Sequence, residues 1–160
     1  MPQVVMSGPS GRHVSAPSGK EEVWRDGLVR VIRAVRGAGH RPVLVATIPH
    51  FGNPRTNSWW NPSQCTMITL AEDVTRCGEV MRLSQSDRDQ QRALRAERAA
   101  AAETDVPYID LRASVCPGGV CRTNHGTEWI YRDGLHLSTR FSCQLSGTLA
   151  EEITRAGQHD

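Results

Sequence analysis

Apolar and polar residues follow one another along the chain in a pattern that predicts alternating strands and helices. Residues 3–6 form a short apolar segment, a predicted strand, which runs into a loop rich in serine, glycine and proline. Residues 21–36 carry apolar side chains at helical spacing opposite a row of charged ones, which predicts an amphipathic helix with Trp24 in the core. The nearly continuous apolar run at 43–48 predicts a strand covered on both faces. Strand, helix and strand in this order make a βαβ unit.

The second half of the chain continues the same alternation. Residues 84–104 predict a long helix with Ser84 as its N-cap, and residues 106–111 predict the next strand, with Asp110 near its end. Residues 139–155 predict a closing helix, because leucine and isoleucine recur there every four positions. The pattern as a whole favours an α/β fold built on a parallel sheet.

A long segment without a regular pattern, residues 49–77, follows the strand predicted at 43–48. Loops at the carboxyl ends of parallel strands are where α/β proteins place ligand sites, and a loop of this length is commonly functional. Trp59 and Trp60 stand side by side in this segment. They predict either the wall of a substrate groove or a lid over the core, and the pattern does not separate these two interpretations.

The composition sets the broad class of the protein. A chain of 160 residues with 38% hydrophobic and 22% charged residues is expected to form one soluble domain, residues 1–160. The formal net charge is +2 and Lys20 is the only lysine, so the sequence does not predict nucleic-acid binding. No segment has the length of a membrane span or the pattern of a signal peptide. A role outside the cytoplasm would therefore depend on something that this chain does not carry.

The five cysteines predict two local disulfide bonds. A Pro-Gly-Gly turn between Cys116 and Cys121 can bring their Cβ atoms together, and Cys65 and Cys77 bracket a short segment. Each bond would stabilise the fold by roughly 2–3 kcal/mol through loop entropy, and both would imply an oxidising compartment. Cys143, in the closing helix, is then left as a small buried apolar residue.

Zinc binding is the alternative interpretation of these cysteines. Cys116, Cys121 and the nearby His125 offer thiolate and imidazole ligands, but the Cys-x2-Cys spacing typical of structural zinc sites is absent. The sequence therefore favours the disulfides. It shows no evident site for a metal, nucleotide or flavin cofactor.

The stretch at 129–138 carries the strongest chemical signal in the chain. A short apolar run leads to Asp133, and His136 follows three residues later, at a spacing that lets the two side chains meet across a tight turn. The carboxylate would then accept the Nδ1–H of the imidazole and leave Nε2 free to act as a general base. Gly134 allows the backbone to turn sharply without a Cβ. The alternative is a surface histidine at a helix N-terminus.

Taken in order, these segments resemble a known family. The strand ending in Ile-Pro, the cysteine-bracketed loop, the string Val-Pro-Tyr-Ile-Asp, the Cys-Pro…Cys pair and the string Tyr-Arg-Asp-Gly-Leu-His-Leu-Ser at 131–138 occur together. This order resembles the SGNH-hydrolase domain that is fused to membrane acyltransferase-3 proteins of bacteria. The resemblance covers roughly residues 1–156, and its most specific part is 116–138.

The resemblance implies a fold, an activity and a location. The fold would be a three-layer α/β/α sandwich with a parallel, flavodoxin-like sheet. The domain would lie outside the cytoplasmic membrane, beside a membrane acyltransferase domain as partner, and would act in O-acylation of cell-surface glycans, with an acyl-bearing carbohydrate as substrate. His136 would be the general base and Asp133 the acid that orients it, in agreement with the reading of these two residues from their spacing alone.

The chain also departs from the family pattern. The family's nucleophile is a serine in a Gly-Asp-Ser string after the first strand, and no such string occurs here. The family's first strand and helix are not recognisable either, so the sequence predicts an N-terminally truncated domain. Ser7, Gly8 and Ser10 would lie on the active edge as candidates for a nucleophile or an oxyanion loop. The sequence alone gives none of them that role.

Three hypotheses for the function follow. The first is an SGNH-type esterase or O-acyltransferase that uses a Ser-His-Asp mechanism, of which this chain shows the Asp-x-x-His part. The second is a catalytically inactive remnant that binds glycans through Trp59 and Trp60. The third is a small zinc-binding protein that uses cysteine and histidine ligands.

Overall fold

The computed structural model of the protein describes residues 6–7, 11, 13–14, 16–53 and 58–158. The helices within these residues are α1 (Pro17–Gly37), α2 (Met67–Glu72), α3 (Leu83–Thr104), α4 (Arg112–Val115) and α5 (Thr139–Ala156). Short 3-10 turns lie at Pro62–Gln64, Val74–Cys77 and Pro117–Gly119. The three long helices, α1, α3 and α5, match the three predicted helical segments.

The strands of the described residues are short, two or three residues each. They are β1 (Met6–Ser7), β2 (His13–Val14), β3 (Leu44–Val45), β4 (Gly52–Asn53), β5 (Ser58–Trp59), β6 (Val80–Arg82), β7 (Tyr108–Ile109), β8 (Val120–Arg122), β9 (Asn124–His125), β10 (Glu128–Trp129), β11 (Tyr131–Asp133) and β12 (His136–Leu137). The strand predicted at 3–6 overlaps β1 at Met6, and its remaining residues lie outside the described part of the chain.

One strand pair in the described residues is parallel. β3 pairs with β7, with Leu44 opposite Tyr108 and Val45 opposite Ile109. The pairs β1–β2, β4–β5, β6–β8, β9–β10 and β11–β12 are antiparallel. The protein is therefore a mixed fold of helices and strands that contains a parallel pair, as the α/β pattern predicted.

The prediction that the run at 43–48 forms a strand covered on both faces is wrong for the described structure. The strand itself spans only Leu44–Val45, and the side of Val45 that faces away from the core is open, with 39% of the residue exposed. Beyond the strand, the backbone N–H of Thr47 bonds to the Glu97 carboxylate of α3 at 3.1 Å instead of to a strand. An apolar run is therefore an unreliable predictor of a fully covered strand where a side chain takes the hydrogen bond that a neighbouring strand would otherwise make.

The helix α1 packs on α3, but Trp24 does not take part in this contact as predicted. Trp24 is 42% exposed, which corrects its predicted place in the core. The buried side chains of α1 are Val29 and Ile32, three residues apart, and Ile32 packs with Ala101 of α3. Ile32 therefore contributes to the contact with α3, and the Trp24 indole is left largely exposed.

The start of α3 also differs from the prediction. Ser84 lies inside the first turn, and Arg82 occupies the N-cap position without a side-chain hydrogen bond. The reason is the strand before the helix, since Arg82 of β6 is paired with Val120 of β8 and is therefore held in extended conformation. The helix can begin only after that residue.

The larger of the two hydrophobic clusters lies among the antiparallel pairs. It contains Phe51, Trp60, Val115, Cys116, Cys121, Ile130 and Tyr131. The two predicted disulfides are present, with Cα atoms 5.8 Å apart for Cys65–Cys77 and 4.2 Å apart for Cys116–Cys121.

The free cysteine corrects a further prediction, because Cys143 is exposed rather than buried. The face of α5 that packs against the larger cluster carries the partly buried Phe141 and Leu145, four residues apart, and Cys143 lies midway between them in sequence, on the other side of the helix. None of the helices in the described residues is long and apolar enough to cross a bilayer.

Candidate active site

Asp133 and His136 meet across the turn between β11 and β12. The two residues are paired in the antiparallel register, and Gly134 and Leu135 form the turn between them. The imidazole Nδ1 lies 2.8 Å from one carboxylate oxygen of Asp133 and 3.0 Å from the other. The His136 side chain is 60% exposed, so the opposite edge of its ring faces solvent.

The carboxylate of Asp133 is held by more than the imidazole. One of its oxygens also accepts the backbone N–H of Leu135 at 2.9 Å and that of His136 at 3.0 Å. Burial by itself would raise the pKa of Asp133, but these hydrogen bonds and the one from the His136 ring outweigh it, and the pKa lies below its ordinary value. An ionised carboxylate only accepts hydrogen bonds, so Nδ1 is the donor of this contact, and in the neutral imidazole the lone pair lies on Nε2.

The turn that carries the dyad is joined to the β4–β5 hairpin by a closed set of backbone hydrogen bonds. The N–H of Phe51 donates to the Gly134 carbonyl at 2.8 Å, and the N–H of Gly134 donates to the Trp60 carbonyl at 2.6 Å. The N–H of Trp60 in turn donates to the Phe51 carbonyl at 3.1 Å. We call these three residues the backbone junction.

The junction explains why residue 134 is glycine. A Cβ atom built on Gly134 would overlap the carbonyl oxygen of Phe51, and it would come within 3.0 Å of the Trp60 nitrogen. Gly134 does not belong to the glycines with positive φ. Glycine is therefore required here for the close approach of two backbones, rather than for a conformation that other residues avoid.

The end of the dyad segment is fixed by its helix cap. The Oγ of Ser138 donates to the Trp129 carbonyl at 2.6 Å and accepts the backbone N–H of Phe141 at 3.2 Å. Ser138 is thus the N-cap of α5 and at the same time ties the start of that helix to the strand β10. His136 stands between this cap and the backbone junction, so its backbone is held on both sides.

The two adjacent tryptophans have different environments. Trp60 is 6% exposed, packs against Trp129 with ring centroids 5.4 Å apart, and donates its indole N–H to the Cys77 carbonyl at 3.0 Å. Trp59 is partly exposed and meets the ring of His50 edge-on, with centroids 6.0 Å apart. Trp60 therefore covers the hydrophobic core, whereas Trp59 faces an open surface.

Trp59 and His50 line a cleft of about 500 Å³ between the β4–β5 hairpin, β6 and the first turns of α3. We call it the hairpin cleft. Phe51 and Trp60, two members of the backbone junction, also line it, so the cleft borders the dyad turn. Burial lowers the pKa of His50, and the nearby charge of His136 lowers it further.

The sequence pattern did not single out His50, although it offered a signal. His50 follows Pro49 directly after the apolar run at 43–48, which is the position where a polar side chain reaches the carboxyl edge of a sheet. The residues that fix this segment, Gln90 and Tyr131, carry no such signal because both act from distant parts of the chain.

The proposed nucleophile positions are not placed by the structure. Gly8 and Ser10 lie outside the described residues, and for Ser7 only the backbone, as the end of β1, is described. Among the described residues, the hydrogen bonds of the His136 ring go to Asp133 alone. A role for Ser7, Gly8 or Ser10 stays a prediction.

The cysteine and histidine residues do not assemble as the zinc hypothesis expects. Cys116 and Cys121 are bonded to each other, so neither is available as a thiolate ligand beside His125. Within the described part of the chain, no group of three or more His, Cys, Asp or Glu side chains could hold a metal ion.

Comparison with known proteins identifies the family of this chain. No curated protein and no solved structure matches it significantly. A family model does match, over residues 3–151, and its description is "SGNH domain (fused to AT3 domains)". The matched region includes the dyad turn, the backbone junction and both disulfides. The chain belongs to this SGNH domain family.

Proposed function

We propose that this chain is an SGNH-type esterase or O-acyltransferase domain that acts on acyl esters of cell-surface glycans. The observation that carries the proposal is the contact of 2.8 Å between the His136 Nδ1 and the ionised Asp133 carboxylate. The exposed ring of His136 then offers Nε2 as a general base at the surface, beside a cleft. Family membership supports the reaction class, and the contact between Asp133 and His136 supports the choice of residues.

In the proposed mechanism, Nε2 of His136 takes the proton of a serine hydroxyl while that oxygen attacks the acyl carbonyl. The imidazolium that forms is stabilised by Asp133, whose second oxygen is 3.0 Å from Nδ1. His136 then returns the proton to the departing sugar oxygen, and the acyl group remains on the serine. Water or a second hydroxyl, deprotonated by Nε2 of His136, then attacks the acyl-serine, and His136 returns that proton to the departing serine oxygen. Ser7 and Ser10 are the candidates for this serine within the chain.

We also propose the partner and the location that the family description suggests. A domain of a family fused to AT3 domains would work beside a membrane acyltransferase domain, and its disulfides suit an oxidising location outside the cytoplasm. We also propose that β3 and β7 belong to a three-layer α/β/α sandwich. Packing of α1 on α3, and contact of α5 with β7, support this arrangement.

The test is the hydrolysis of 4-nitrophenyl acetate and of an O-acetylated surface polysaccharide by the purified chain and its variants. We expect His136→Ala to lower kcat/KM by roughly 10³-fold, because the general base and acid of both steps is lost. His125→Ala is the matched control, since His125 is also exposed and lies outside the dyad.

The unfolding transition of each variant, followed by circular dichroism, should be unchanged, because the His136 side chain bonds only to Asp133 among the described residues. Full activity of His136→Ala would contradict the proposal. So would an equal loss of activity in His125→Ala.

A further inference from the structure

The backbone around His50 is fixed at consecutive positions by bonds from distant elements. The Thr47 hydroxyl and N–H both bond to the buried Glu97, and the Gln90 amide donates to the Ile48 carbonyl at 2.9 Å. The Tyr131 hydroxyl donates to the Pro49 carbonyl at 2.8 Å. Beyond His50, the N–H of Phe51 belongs to the backbone junction. A segment restrained in this way presents its free side chain in one orientation.

The free side chain of this segment is the imidazole of His50. It lies edge-on to the Trp59 ring at an interplanar angle of 86°, and it lines the hairpin cleft. No hydrogen bond within the described residues uses either of its ring nitrogens. Burial lowers its pKa, and a charge on the nearby His136 would lower it further, so the surroundings favour the neutral ring. A neutral imidazole donates one hydrogen bond and accepts one, which matches an alcohol.

The opposite wall of the cleft is polar and is also held in place. Glu79 is anchored through its backbone to the buried Thr123, whose hydroxyl accepts the Glu79 N–H at 2.8 Å and whose own N–H donates to the Glu79 carbonyl at 3.0 Å. Gln85 and Asp89, four residues apart, lie on the same side of α3 and line the cleft as well. Carboxylate and amide groups from two parts of the chain thus line the same cleft as the imidazole and the indole.

We propose that the hairpin cleft is the alcohol subsite of the enzyme and binds the polyhydroxyl part of the ester. Trp59 packs against the C–H face of a sugar ring, and His50 hydrogen-bonds a hydroxyl next to the scissile ester. Glu79, Gln85 and Asp89 accept or donate bonds to the remaining hydroxyls. The volume of about 500 Å³ lies in the range of small-molecule sites. This subsite rests on the proposed function, because only an ester substrate gives it an alcohol to hold.

The experiment is an NMR titration of the full chain with methyl α-D-glucopyranoside, a simple polyhydroxyl probe. The signals followed are those of the backbone amides and of the tryptophan indole N–H groups. We expect shifts confined to Trp59, His50, Gln85 and their neighbours. Shifts that are absent up to the solubility limit of the probe, or that cluster elsewhere, would overturn the proposal. So would a cleft that responds only to an added peptide or protein.

Variants make the assignment specific. Trp59→Ala and His50→Ala should each weaken probe binding by roughly three- to tenfold, the loss expected for one packing contact or one hydrogen bond. The matched controls are Trp24→Ala and His40→Ala, which remove an exposed indole and an exposed imidazole outside the cleft. His50→Gln keeps a donor and an acceptor, so partial retention of binding would separate a hydrogen-bonding role from a loss of folding.

Two variants distinguish a failure of this inference from a failure of the proposed catalysis. His136→Ala should abolish hydrolysis and leave the probe shifts unchanged, since His136 is not a lining residue of the cleft. In the active protein, His50→Ala should raise KM for an acetylated saccharide more than it raises KM for 4-nitrophenyl acetate, which has no sugar to hold, and the control His40→Ala should change neither value. Equal losses with His50→Ala on both esters would overturn the alcohol subsite while leaving the esterase function standing.

Discussion

The cluster around Tyr131 and the cluster around Ile32 are held together by different means. In the first, aromatic rings pack edge to face, a disulfide is buried, and side chains bond to backbone groups far away in sequence. In the second, Ile32 of α1 meets Ala101 of α3, with Leu44 and Tyr108 of the parallel pair beside them. The first cluster supports the dyad and the hairpin cleft, and the second supports the helices.

The comparison shows where the geometry of the candidate site comes from. The parallel pair β3–β7 supplies the segment that leads to His50, but the position of that segment is set by bonds to Gln90, Tyr131 and Gly134. The segment at 47–51 is thus held by bonds to distant residues that lie outside the short strand β3. Four stability predictions follow in order of decreasing effect, and the first three test the contrast between the two clusters.

The largest effect is expected for Gly134→Ala. The new Cβ would overlap the Phe51 carbonyl, so the backbone junction must open, and we expect a loss of about 3 kcal/mol in unfolding free energy. Urea unfolding measures this loss. The control is Gly147→Ala in α5, where a Cβ meets nothing within 4 Å and alanine favours the helix. A Gly134→Ala protein as stable as the Gly147→Ala protein would contradict the junction.

The next effect concerns the buried disulfide. Replacing Cys116 and Cys121 together by alanine should lower the unfolding free energy by about 2 kcal/mol on the loop-entropy estimate for a short loop. Hydrogen exchange should show the loss first in the Tyr131 cluster, because Cys116 and Cys121 are 1% and 0% exposed there. Faster exchange in α1 and α3 of equal size would show that the two clusters unfold as one unit.

The third prediction compares the loss of unfolding free energy when the hydroxyl of one tyrosine from each cluster is removed. Tyr131→Phe leaves the buried carbonyl of Pro49 without its partner, and we expect a loss of about 1.5 kcal/mol. Tyr108→Phe removes a longer bond, 3.2 Å to Glu97, from a half-buried ring, and about 0.5 kcal/mol is expected. Thermal unfolding of the two variants side by side gives the difference. Equal losses would remove the contrast between the clusters.

The smallest effect depends on pH. The side-chain hydrogen bond from Arg112 lowers the pKa of Asp110 below its ordinary value, and the Arg112 guanidinium also pairs with Asp87 at 2.6 Å. A carboxyl with a lowered pKa in the folded state stabilises the fold above its ordinary pKa, and this contribution disappears as the pH falls through the folded-state pKa.

Asp110→Asn should therefore cost about 1 kcal/mol at neutral pH and progressively less in acid. Urea unfolding of both proteins across the acid range measures the difference. A difference that stays constant with pH would show that the Asp110 charge is not responsible for it.

The features that the sequence predicted correctly are those encoded by neighbouring residues. The three long helices follow from apolar repeats within one segment, and the contact of Asp133 with His136 spans a two-residue turn. The Cys116–Cys121 bond likewise closes a loop with a sequence separation of 5. Local spacing is enough to place such pairs.

The features that the sequence missed depend on contacts between distant residues. The Tyr131 hydroxyl reaches Pro49 across a separation of 82 residues, and the burial of Trp60 but not Trp59 depends on its bond to Cys77. The exposure of Cys143 and Trp24 follows from which helix face meets a neighbour, and an apolar repeat with two possible faces does not decide this.

The backbone junction has a consequence for how this domain can diverge among its relatives. The backbone segments at Phe51 and at Gly134, about eighty residues apart in sequence, approach so closely that no side chain fits between them at Gly134. A relative that keeps this junction must therefore also keep glycine at this position. A relative with a larger residue in place of the glycine should have its hairpin placed differently relative to the turn that carries the histidine.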